Sequence, residues 1–161
     1  MPRVGIEVLI PDFQGYRKAW QIVLESRPDV LNHNLETVRR LYPTVRPEAD
    51  YNRSLDLIRY ASGSSESISS KSGLMLGLGE TRKEVMTVFA DLIQAGCHLL
   101  TLGQYLQPSK DHLPVARYVP PEEFNALKKK ALEMGFIDVA ADPFVRSSYR
   151  AKELFSRKSG G

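Results

Sequence analysis

Short apolar runs alternate with segments of helical periodicity along the whole sequence. The apolar runs predict strands at Val4–Ile10, Asp29–Asn32, Ser70–Leu78, Leu99–Leu102 and Ile137–Ala140. Between them, apolar residues recur every three or four positions, which predicts helices around Trp20, Ile58, Val88 and Leu127. Gly135 is well placed to end the last of these helices. This alternation of strands and helices is typical of a parallel α/β sheet with crossover helices.

The number of repeats limits the architecture. A closed barrel of eight β/α units needs roughly 200 residues or more, whereas this chain has 161 residues. The nucleotide-binding pattern G-x-G-x-x-G does not follow the first predicted strand. We therefore predict an α/β fold that forms part of a TIM-type barrel, with parallel strands and outer helices.

Composition and charge exclude some classes of protein. The chain is 42% hydrophobic and 25% charged, which is typical of a globular domain. The net charge of +3 is spread over interspersed residues, and the one basic run, Lys128–Lys130, is interpreted as a solvated helix face. No apolar run approaches the roughly 18 residues of a membrane span. We expect neither nucleic acid nor membrane as a partner.

The cysteine count excludes further chemistry within this sequence. A single thiol, Cys97, cannot form an internal disulfide, a C-x-x-C redox pair or a complete set of zinc or iron–sulfur ligands. Because Cys97 precedes a predicted core strand, we interpret it as a buried, inert thiol. The unpaired thiol and the absence of a signal-peptide pattern predict a reducing, intracellular compartment.

Polar side chains gather where the predicted strands end, which is where parallel α/β folds bind their ligands. These positions carry amides, hydroxyls and a few charges, in the clusters Pro11-Asp12, Asn32–Thr37, Gly77–Glu80, Gly103–Gln107 and Arg146–Tyr149. Such a rim suits a polar cofactor held by many hydrogen bonds better than it suits triad hydrolysis.

Several of these clusters also have a purely structural interpretation. Asn34 is a candidate helix N-cap, with Glu36 favouring the positive end of that helix. His33 is equally typical of a buried, hydrogen-bonded structural histidine. The Arg146–Tyr149 cluster fits a helix cap or an anion-binding nest.

The glycine turn and the long loop leave alternatives open as well. Gly77–Gly79 permits close backbone approach, but Glu80 would repel a phosphate, so contact with adenine or another neutral edge fits better than a phosphate cradle. A plain strand-to-helix turn is the structural alternative. Gln104, Tyr105 and Gln107 lie on a loop long enough to be functional, although packing of Tyr105 against the barrel end is the competing interpretation.

Taken in series, five segments resemble lipoyl synthase, a family of radical S-adenosylmethionine enzymes. The segments are IEVLIPDFQG from Ile6, PDVLNHNLETVRRLYPTVRP from Pro28, KSGLMLGLGE from Lys71, LTLGQYLQPS from Leu100 and VRSSYRA from Val145. The resemblance covers nearly the whole chain. It implies insertion of two sulfur atoms into an octanoyl chain carried on a lysine of a carrier protein.

The resemblance also implies the cofactors. One [4Fe–4S] cluster would cleave S-adenosylmethionine to a 5′-deoxyadenosyl radical, and a second, auxiliary [4Fe–4S] cluster would donate sulfur. Three cysteines near the N-terminus and a serine of the Arg-Ser-Ser-Tyr motif hold the auxiliary cluster in this family. Here Ser147 is the first choice for that serine and Ser148 the second.

Further site residues follow from the same motifs. The resemblance implies cofactor contacts by Asn32, Asn34 and Glu36 to the methionine and ribose parts, by Gly77, Leu78 and Gly79 near the adenine, and by Gln104, Tyr105 and Gln107 on the rim. Candidates for charge contacts, equally well interpreted as surface salt bridges, are Arg39, Arg46 and Lys71.

The sequence departs from the family pattern in its cysteines, because the family's C-x-x-x-C-x-x-C motif and its auxiliary-cluster cysteines are absent. Asp142 stands where the family usually has glycine. We therefore expect the C-terminal half of a family member, with part of the barrel at 1–140 and an extension at 141–161 that carries the Arg-Ser-Ser-Tyr motif. We expect no catalytic residue, no turnover and no stable cluster in the isolated chain.

The expected partners are octanoylated lipoyl-carrier domains and iron–sulfur assembly or carrier proteins. The expected location is the cytoplasm, or an organellar matrix in a eukaryote. Two alternatives come from other classes: a non-catalytic half-barrel that binds a nucleotide-like ligand or a partner chain, and an unrelated half-barrel enzyme that binds phosphate.

Overall fold

The computed structural model describes residues 4–147, in which five parallel strands form one sheet. The strands are β1 (Glu7–Leu9), β2 (Val30–Asn32), β3 (Ser69–Leu76), β4 (Leu99–Gln104) and β5 (Asp138–Ala141). They lie in chain order, and each strand pairs in parallel with the next. This arrangement is that of consecutive β/α units of a TIM-type barrel, so the predicted fold class is confirmed.

Helices follow the strands as the periodicity predicts. They are α1 (Arg17–Glu25), α2 (Tyr42–Val45), α3 (Tyr51–Ser64), α4 (Arg82–Gln94) and α5 (Pro121–Met134), with 3₁₀ turns at Phe13–Gly15 and Arg39–Leu41. Gly135 ends α5 with a left-handed φ of 119°, which confirms its predicted role. The short helix α2 and the two 3₁₀ turns were not predicted, since segments of three or four residues carry too little periodicity.

The core lies between the helices and one face of the sheet. Side chains of β3, β4 and β5 on this face pack against apolar residues of α4 and α5, including Leu74, Leu100, Val139, Phe89 and Phe124. Successive strand residues point to opposite faces. The other, concave face therefore presents the alternate residues of the strands. They include an apolar pair, Val30 and Leu99, and the polar or glycine positions Glu7, Asn32, Lys71, Gly73, Thr101 and Gly103.

Residues 142–147 turn back across this concave face. The Asp142 amide donates to the Leu102 carbonyl oxygen at 3.2 Å, and the Pro143 carbonyl oxygen accepts from the Gln104 amide at 3.2 Å. A Cβ atom on Gly103 would lie 2.3 Å from the Val145 carbonyl oxygen, so the crossing depends on glycine at 103. The boundary between a barrel part at 1–140 and an extension at 141–161 stays a prediction.

Asp142 fits this turn, at a position where the family resemblance leads us to expect glycine. Its φ is not among the positive values found in residues 4–147, and its carboxylate accepts a hydrogen bond from the Phe144 amide at 3.0 Å. An aspartate that bonds its own backbone two residues further on stabilises a turn. The substitution is therefore compatible with the path of the chain towards Ser147.

At the other end of the sheet, β1 is the edge strand of the described part. Apolar side chains before and within it are exposed, with Ile6 at 56% and Leu9 at 57%. An exposed strand edge of this kind is open to pairing with another strand. None of the helices between residues 4 and 147 is both long and apolar enough to cross a membrane.

The capping box of α4 gives a first prediction. Thr81 accepts a hydrogen bond from the Glu84 amide, and the Glu84 carboxylate accepts from the Thr81 amide. We expect Thr81→Ala to lower the free energy of unfolding by about 1 kcal/mol, measured by urea denaturation. The control is Thr87→Ala, at an exposed position inside the same helix, which should leave stability unchanged or slightly raised. Equal losses in both variants would contradict the cap.

The crossing at Gly103 gives a second prediction. Gly103→Ala should lower the free energy of unfolding by roughly 1–3 kcal/mol, since the added methyl group meets the Val145 carbonyl oxygen. Gly63 lies in α3 with no atom within 4 Å of an added Cβ, so Gly63→Ala should raise stability by roughly 0.5–1 kcal/mol. Urea denaturation distinguishes the two outcomes. An unchanged midpoint for Gly103→Ala would show that the crossing does not occur.

Candidate functional site

Three of the predicted strand-end clusters meet in one cavity on the concave face. The cavity measures about 250 Å³ and is lined by Asn34 and Glu36, by Gly73, Leu74 and Met75, by Thr101, Gly103, Gln104 and Leu106, and by Val145, Arg146 and Ser147. The first and the last of these groups are far apart in the sequence. The sheet and the returning segment 142–147 bring them together.

Glu36 reaches the cavity because the chain after β2 continues beside β3. Its amide donates to the Gly73 carbonyl oxygen at 2.9 Å, and its carbonyl oxygen accepts from the Met75 amide at 2.8 Å. Its φ of 67° is left-handed. The 3₁₀ turn that follows has Val38 at its N-cap, without a side-chain capping bond. The interpretation of Asn34 as a helix N-cap is therefore wrong, because the backbone here extends the sheet.

The Asn34–Glu36 pair combines a desolvated carboxylate with an unpaired acceptor. Burial raises the pKa of the Glu36 carboxyl, although a hydrogen bond from the Asn34 side chain and the charge of Arg46 act in the opposite direction. The Asn34 Oδ1 atom is buried and has no hydrogen-bond partner among the described residues. An unpaired buried acceptor costs about 1–3 kcal/mol. The pair therefore suits a ligand that brings donors, such as hydroxyl or ammonium groups.

Asn32 lies deeper in the concave face and does not line the cavity. Its Nδ2 donates to Glu7 Oε1 at 3.0 Å, and its Oδ1 is a second buried acceptor without a partner in the described part of the chain. Of the three predicted residues in this motif, the structure thus brings Asn34 and Glu36 to the cavity. Asn32 instead belongs to a polar cluster beneath it.

That cluster is centred on Lys71, which is fully buried. Lys71 Nζ donates to the two Glu7 carboxylate oxygens at 2.9 and 3.1 Å and to the Ser147 carbonyl oxygen at 2.6 Å. The surface salt-bridge interpretation of Lys71 is therefore wrong. Sequence reasoning missed Glu7 entirely. The signal that could have found the pair is one charged residue in each of two predicted strands, opposite in sign, because charges buried on a sheet face must be paired.

Within residues 4–147, neither Arg39 nor Arg46 forms a surface salt bridge or lines the cavity. Arg46 donates to the Leu35 carbonyl oxygen at 3.1 Å and to the Tyr42 hydroxyl at 3.1 Å. The Arg39 guanidinium lies 4.2 Å from the centre of the Tyr51 ring. Both stabilise the segment between β2 and α3, which carries Asn34 and Glu36 to the cavity.

The buried histidine and the buried thiol have structural roles. The ring nitrogens of His33 lie 2.9 Å from the Ile10 carbonyl oxygen and 2.9 Å from the Ser54 hydroxyl, and burial lowers the pKa of His33. Cys97 is buried, and desolvation raises the pKa of its thiol to about 12. A thiol in this state is neither nucleophilic nor a metal ligand at neutral pH.

The carboxylate of Glu80 folds back onto the glycine turn at 77–79 and accepts hydrogen bonds from its backbone. Glu80 accepts from the Gly77 amide at 2.7 Å and from the Leu78 amide at 2.9 Å, and φ is positive at both Gly77 and Gly79. The position that a bound phosphate would take at these amides is thus filled by Glu80. None of the residues from Gly77 to Gly79 lines the cavity described above.

The predicted rim residues organise the long loop after β4. Gln104 accepts from the Val119 amide at 2.8 Å and donates to the Arg117 carbonyl oxygen at 3.1 Å. The Tyr105 hydroxyl donates to the Leu113 carbonyl oxygen at 2.8 Å. Gln107 donates to a carbonyl oxygen further along the same loop, that of His112, at 2.8 Å. Of these side chains, Gln104 also borders the cavity.

Side chains with oxygen atoms line the cavity, but they do not form a metal centre among the described residues. Ser147 lines the cavity, and Ser148 lies outside the described residues. Between residues 4 and 147 no three His, Cys, Asp or Glu side chains lie close enough together to hold a metal ion. Ser147 offers a single hydroxyl group at the cavity, and no cysteine among residues 4–147 lines it.

Comparisons with known proteins identify relatives over nearly the whole chain. No protein-family model matches. The lipoyl synthase of Chlorobium phaeovibrioides is 56% identical over 150 residues, which are 93% of this chain and 52% of that protein. The lipoyl synthase of Geobacter sp. strain M21 is 55% identical over 158 residues, which are 98% of this chain and 54% of that protein.

The lipoyl synthase of Rubrobacter xylanophilus is similar to the same extent, with 52% identity over 153 residues, 95% of this chain and 48% of that protein. The chain thus spans about half the length of the curated relatives that it matches. This agrees with the resemblance of its five segments and with the prediction of half a family member. By sequence, the chain belongs to the lipoyl synthase family.

Proposed function

We propose that this chain supplies part of the active site of a lipoyl synthase, an enzyme that inserts two sulfur atoms into a protein-bound octanoyl chain. Its share is one wall of the S-adenosylmethionine site and one serine ligand of the auxiliary cluster. The observation that carries the proposal is the single cavity in which the Asn34–Glu36 motif meets Ser147. Lipoyl synthases more than half identical to the chain support it.

The Asn34–Glu36 pair is the proposed binding site for the polar part of S-adenosylmethionine. When bound, that molecule and the two [4Fe–4S] clusters supply the radical and the sulfur of the reaction. The Glu36 carboxylate accepts hydrogen bonds from ribose hydroxyls or from the α-ammonium group, and the buried Asn34 Oδ1 accepts one more. Both residues are held in place by the bridge between Glu36 and β3.

The serine of the Arg-Ser-Ser-Tyr motif is the proposed ligand of the auxiliary cluster, with Ser147 as first choice and Ser148 as second. A hard alkoxide oxygen binds iron less well than a thiolate does, which suits a cluster that gives up its sulfur. Cys97 is not a candidate ligand, because it is buried in the apolar core and does not line the cavity. The thiolates are supplied by a cysteine-bearing part that this sequence does not contain.

The remaining family assignments stay predictions. Gly77, Leu78 and Gly79 are proposed to lie near the adenine, and Gln104, Tyr105 and Gln107 to contact the cofactor at the rim. Asn32 is proposed to contact the methionine and ribose parts together with Asn34 and Glu36. The proposed partners are octanoylated lipoyl-carrier domains and iron–sulfur assembly proteins, in the cytoplasm. Turnover requires the cysteine-bearing half, so the chain on its own is proposed to be inactive.

A chimera tests the serine. The homologous half of the Chlorobium phaeovibrioides enzyme is replaced by this chain, and lipoyl product and bound iron are measured after reconstitution with iron and sulfide. We expect Ser147→Ala, or failing that Ser148→Ala, to remove about half of the bound iron and to lower lipoyl formation more than 100-fold, since a cluster that lacks a ligand is not retained.

The matched control is Ser67→Ala, which removes an exposed hydroxyl far from the cavity and should change neither quantity. Full lipoyl formation and full iron content in both Ser147→Ala and Ser148→Ala would sink the serine-ligand proposal. The iron content separates loss of the cluster from a defect in turnover alone.

Glu36 is tested by equilibrium binding of S-adenosylmethionine to the same chimera. Glu36→Gln replaces a charged acceptor by a neutral one of the same shape, so affinity should fall roughly 10- to 100-fold, the equivalent of a hydrogen bond to a charged group. Glu133→Gln on the exposed side of α5 is the control and should leave the Kd unchanged. An unchanged Kd for Glu36→Gln would show that the cavity binds something else.

A further inference from the structure

The buried charge of Lys71 has an acceptor in the C-terminal segment as well as in the sheet. Lys71 is the third residue of β3 and is fully buried. An ammonium group has three donors, and burying it costs several kcal/mol unless these donors are paired. Both oxygens of Glu7 and the carbonyl oxygen of Ser147 are within hydrogen-bond distance. The pairing of Lys71 is therefore shared between β1 and the segment 142–147.

The bond to Ser147 is the shortest of these contacts, at 2.6 Å. Hydrogen bonds with an ionised donor are shorter and stronger than neutral ones, and more so where water is excluded. Glu7 is also engaged by the Asn32 amide at 3.0 Å, so its carboxylate serves two donors. The Ser147 carbonyl oxygen completes the set of acceptors around the ammonium group.

The other attachments of the segment lie before Ser147. Asp142 and Pro143 are bonded to the end of β4 through their backbones, and the Val145 carbonyl oxygen passes close above Gly103. Within residues 4–147, the hydrogen bond that reaches Ser147 comes from Lys71. Loss of that bond would leave the segment attached at 142–145, while Ser147, one of its cavity-lining residues, would lose its hydrogen bond to the sheet.

We propose that Lys71 is a positioning residue, whose buried ammonium group latches the C-terminal segment across the concave face and fixes the backbone at Ser147. The latch is a property of the fold alone. The latch would also hold the motif serine at one place on the cavity wall. That consequence for the cluster ligand rests on the proposed function. Glu7 supplies the counter-charge that pairs the buried ammonium group through both of its carboxylate oxygens.

A purely structural role is the competing interpretation, in which Lys71 and Glu7 form an ion pair that joins β1 to β3. The two roles predict different results from two variants. Lys71→Met with Glu7→Gln removes both charges without leaving one unpaired, and it also removes the donor to Ser147. Glu7→Gln alone breaks the ion pair but keeps the Lys71 donor. Lys129→Met, on the exposed face of α5, is the control for the loss of a lysine charge.

The readout is the carbonyl ¹³C resonance of Ser147 in the complete chain without cofactors. Serine labelled with ¹³C at the carbonyl and with ¹⁵N gives one cross-peak for each of the three Ser-Ser pairs, at 64–65, 69–70 and 147–148. Ser147→Ala assigns the last. In the double variant we expect the Ser147 carbonyl resonance to move upfield, because the carbonyl loses its charged donor, and the labelled Ser147 amide to exchange at least ten-fold faster, because the backbone there is no longer held.

The 64–65 cross-peak should stay in place, and Lys129→Met should change none of them. In Glu7→Gln the Ser147 resonance should remain close to its original position. An unmoved Ser147 resonance and unchanged exchange in a folded double variant would overturn the latch. Equal changes in Glu7→Gln and in the double variant would do so too, since they would show that the ion pair alone orders the segment.

A second measurement needs no variant. With ¹⁵N-labelled lysine, the unmodified chain should show a coupling across the hydrogen bond between Lys71 Nζ and the Ser147 carbonyl carbon, and its absence at a temperature where the lysine signal is sharp would overturn the latch even if the double variant does not fold. None of these readouts uses iron, S-adenosylmethionine or turnover. Failure of the latch and failure of the proposed function are therefore separate results.

Discussion

The pairing of the buried Lys71 charge is the interaction on which the concave face depends. Helices cover one face of the sheet and supply its apolar core, so the other face must be closed by different means. Lys71 Nζ donates hydrogen bonds both to Glu7 of β1 and to the Ser147 carbonyl oxygen of the C-terminal segment. The same crossing places Val145 and Ser147 in the cavity wall. One charge thus links the edge of the sheet, its centre and the candidate site.

Most of the fold could be predicted from the sequence, because the periods of its apolar residues are distinct. Strands at Val30–Asn32 and Leu99–Gln104 lie where short apolar runs indicate them, and α5 ends at Gly135 as its left-handed conformation requires. The segment after β2 could not be predicted in the same way. There Glu36 adopts a positive φ and bridges to β3, a tertiary contact that overrides the local preference for a helix cap.

The sequence predicted which residues gather at the candidate site but not which atoms they contact. Asn34, Glu36 and Ser147 follow the carboxyl ends of parallel strands, and parallel topology places such residues at one edge of the sheet. Whether a polar side chain faces a ligand or its own loop depends on backbone groups far along the chain. Gln104 and Tyr105 illustrate this, since their partners are carbonyl and amide groups of residues 113–119.

The central claim is that the Glu36 motif and the motif serine form one active-site cavity with a cysteine-bearing half. The most direct measurement is a crystal structure of the Chlorobium chimera with S-adenosylmethionine, with iron located by anomalous scattering. We predict that the ligand lies against Asn34 and Glu36 and that one iron atom is bound by Ser147 or Ser148. Iron held without an oxygen ligand from this chain, or a ligand bound away from Glu36, would contradict the claim.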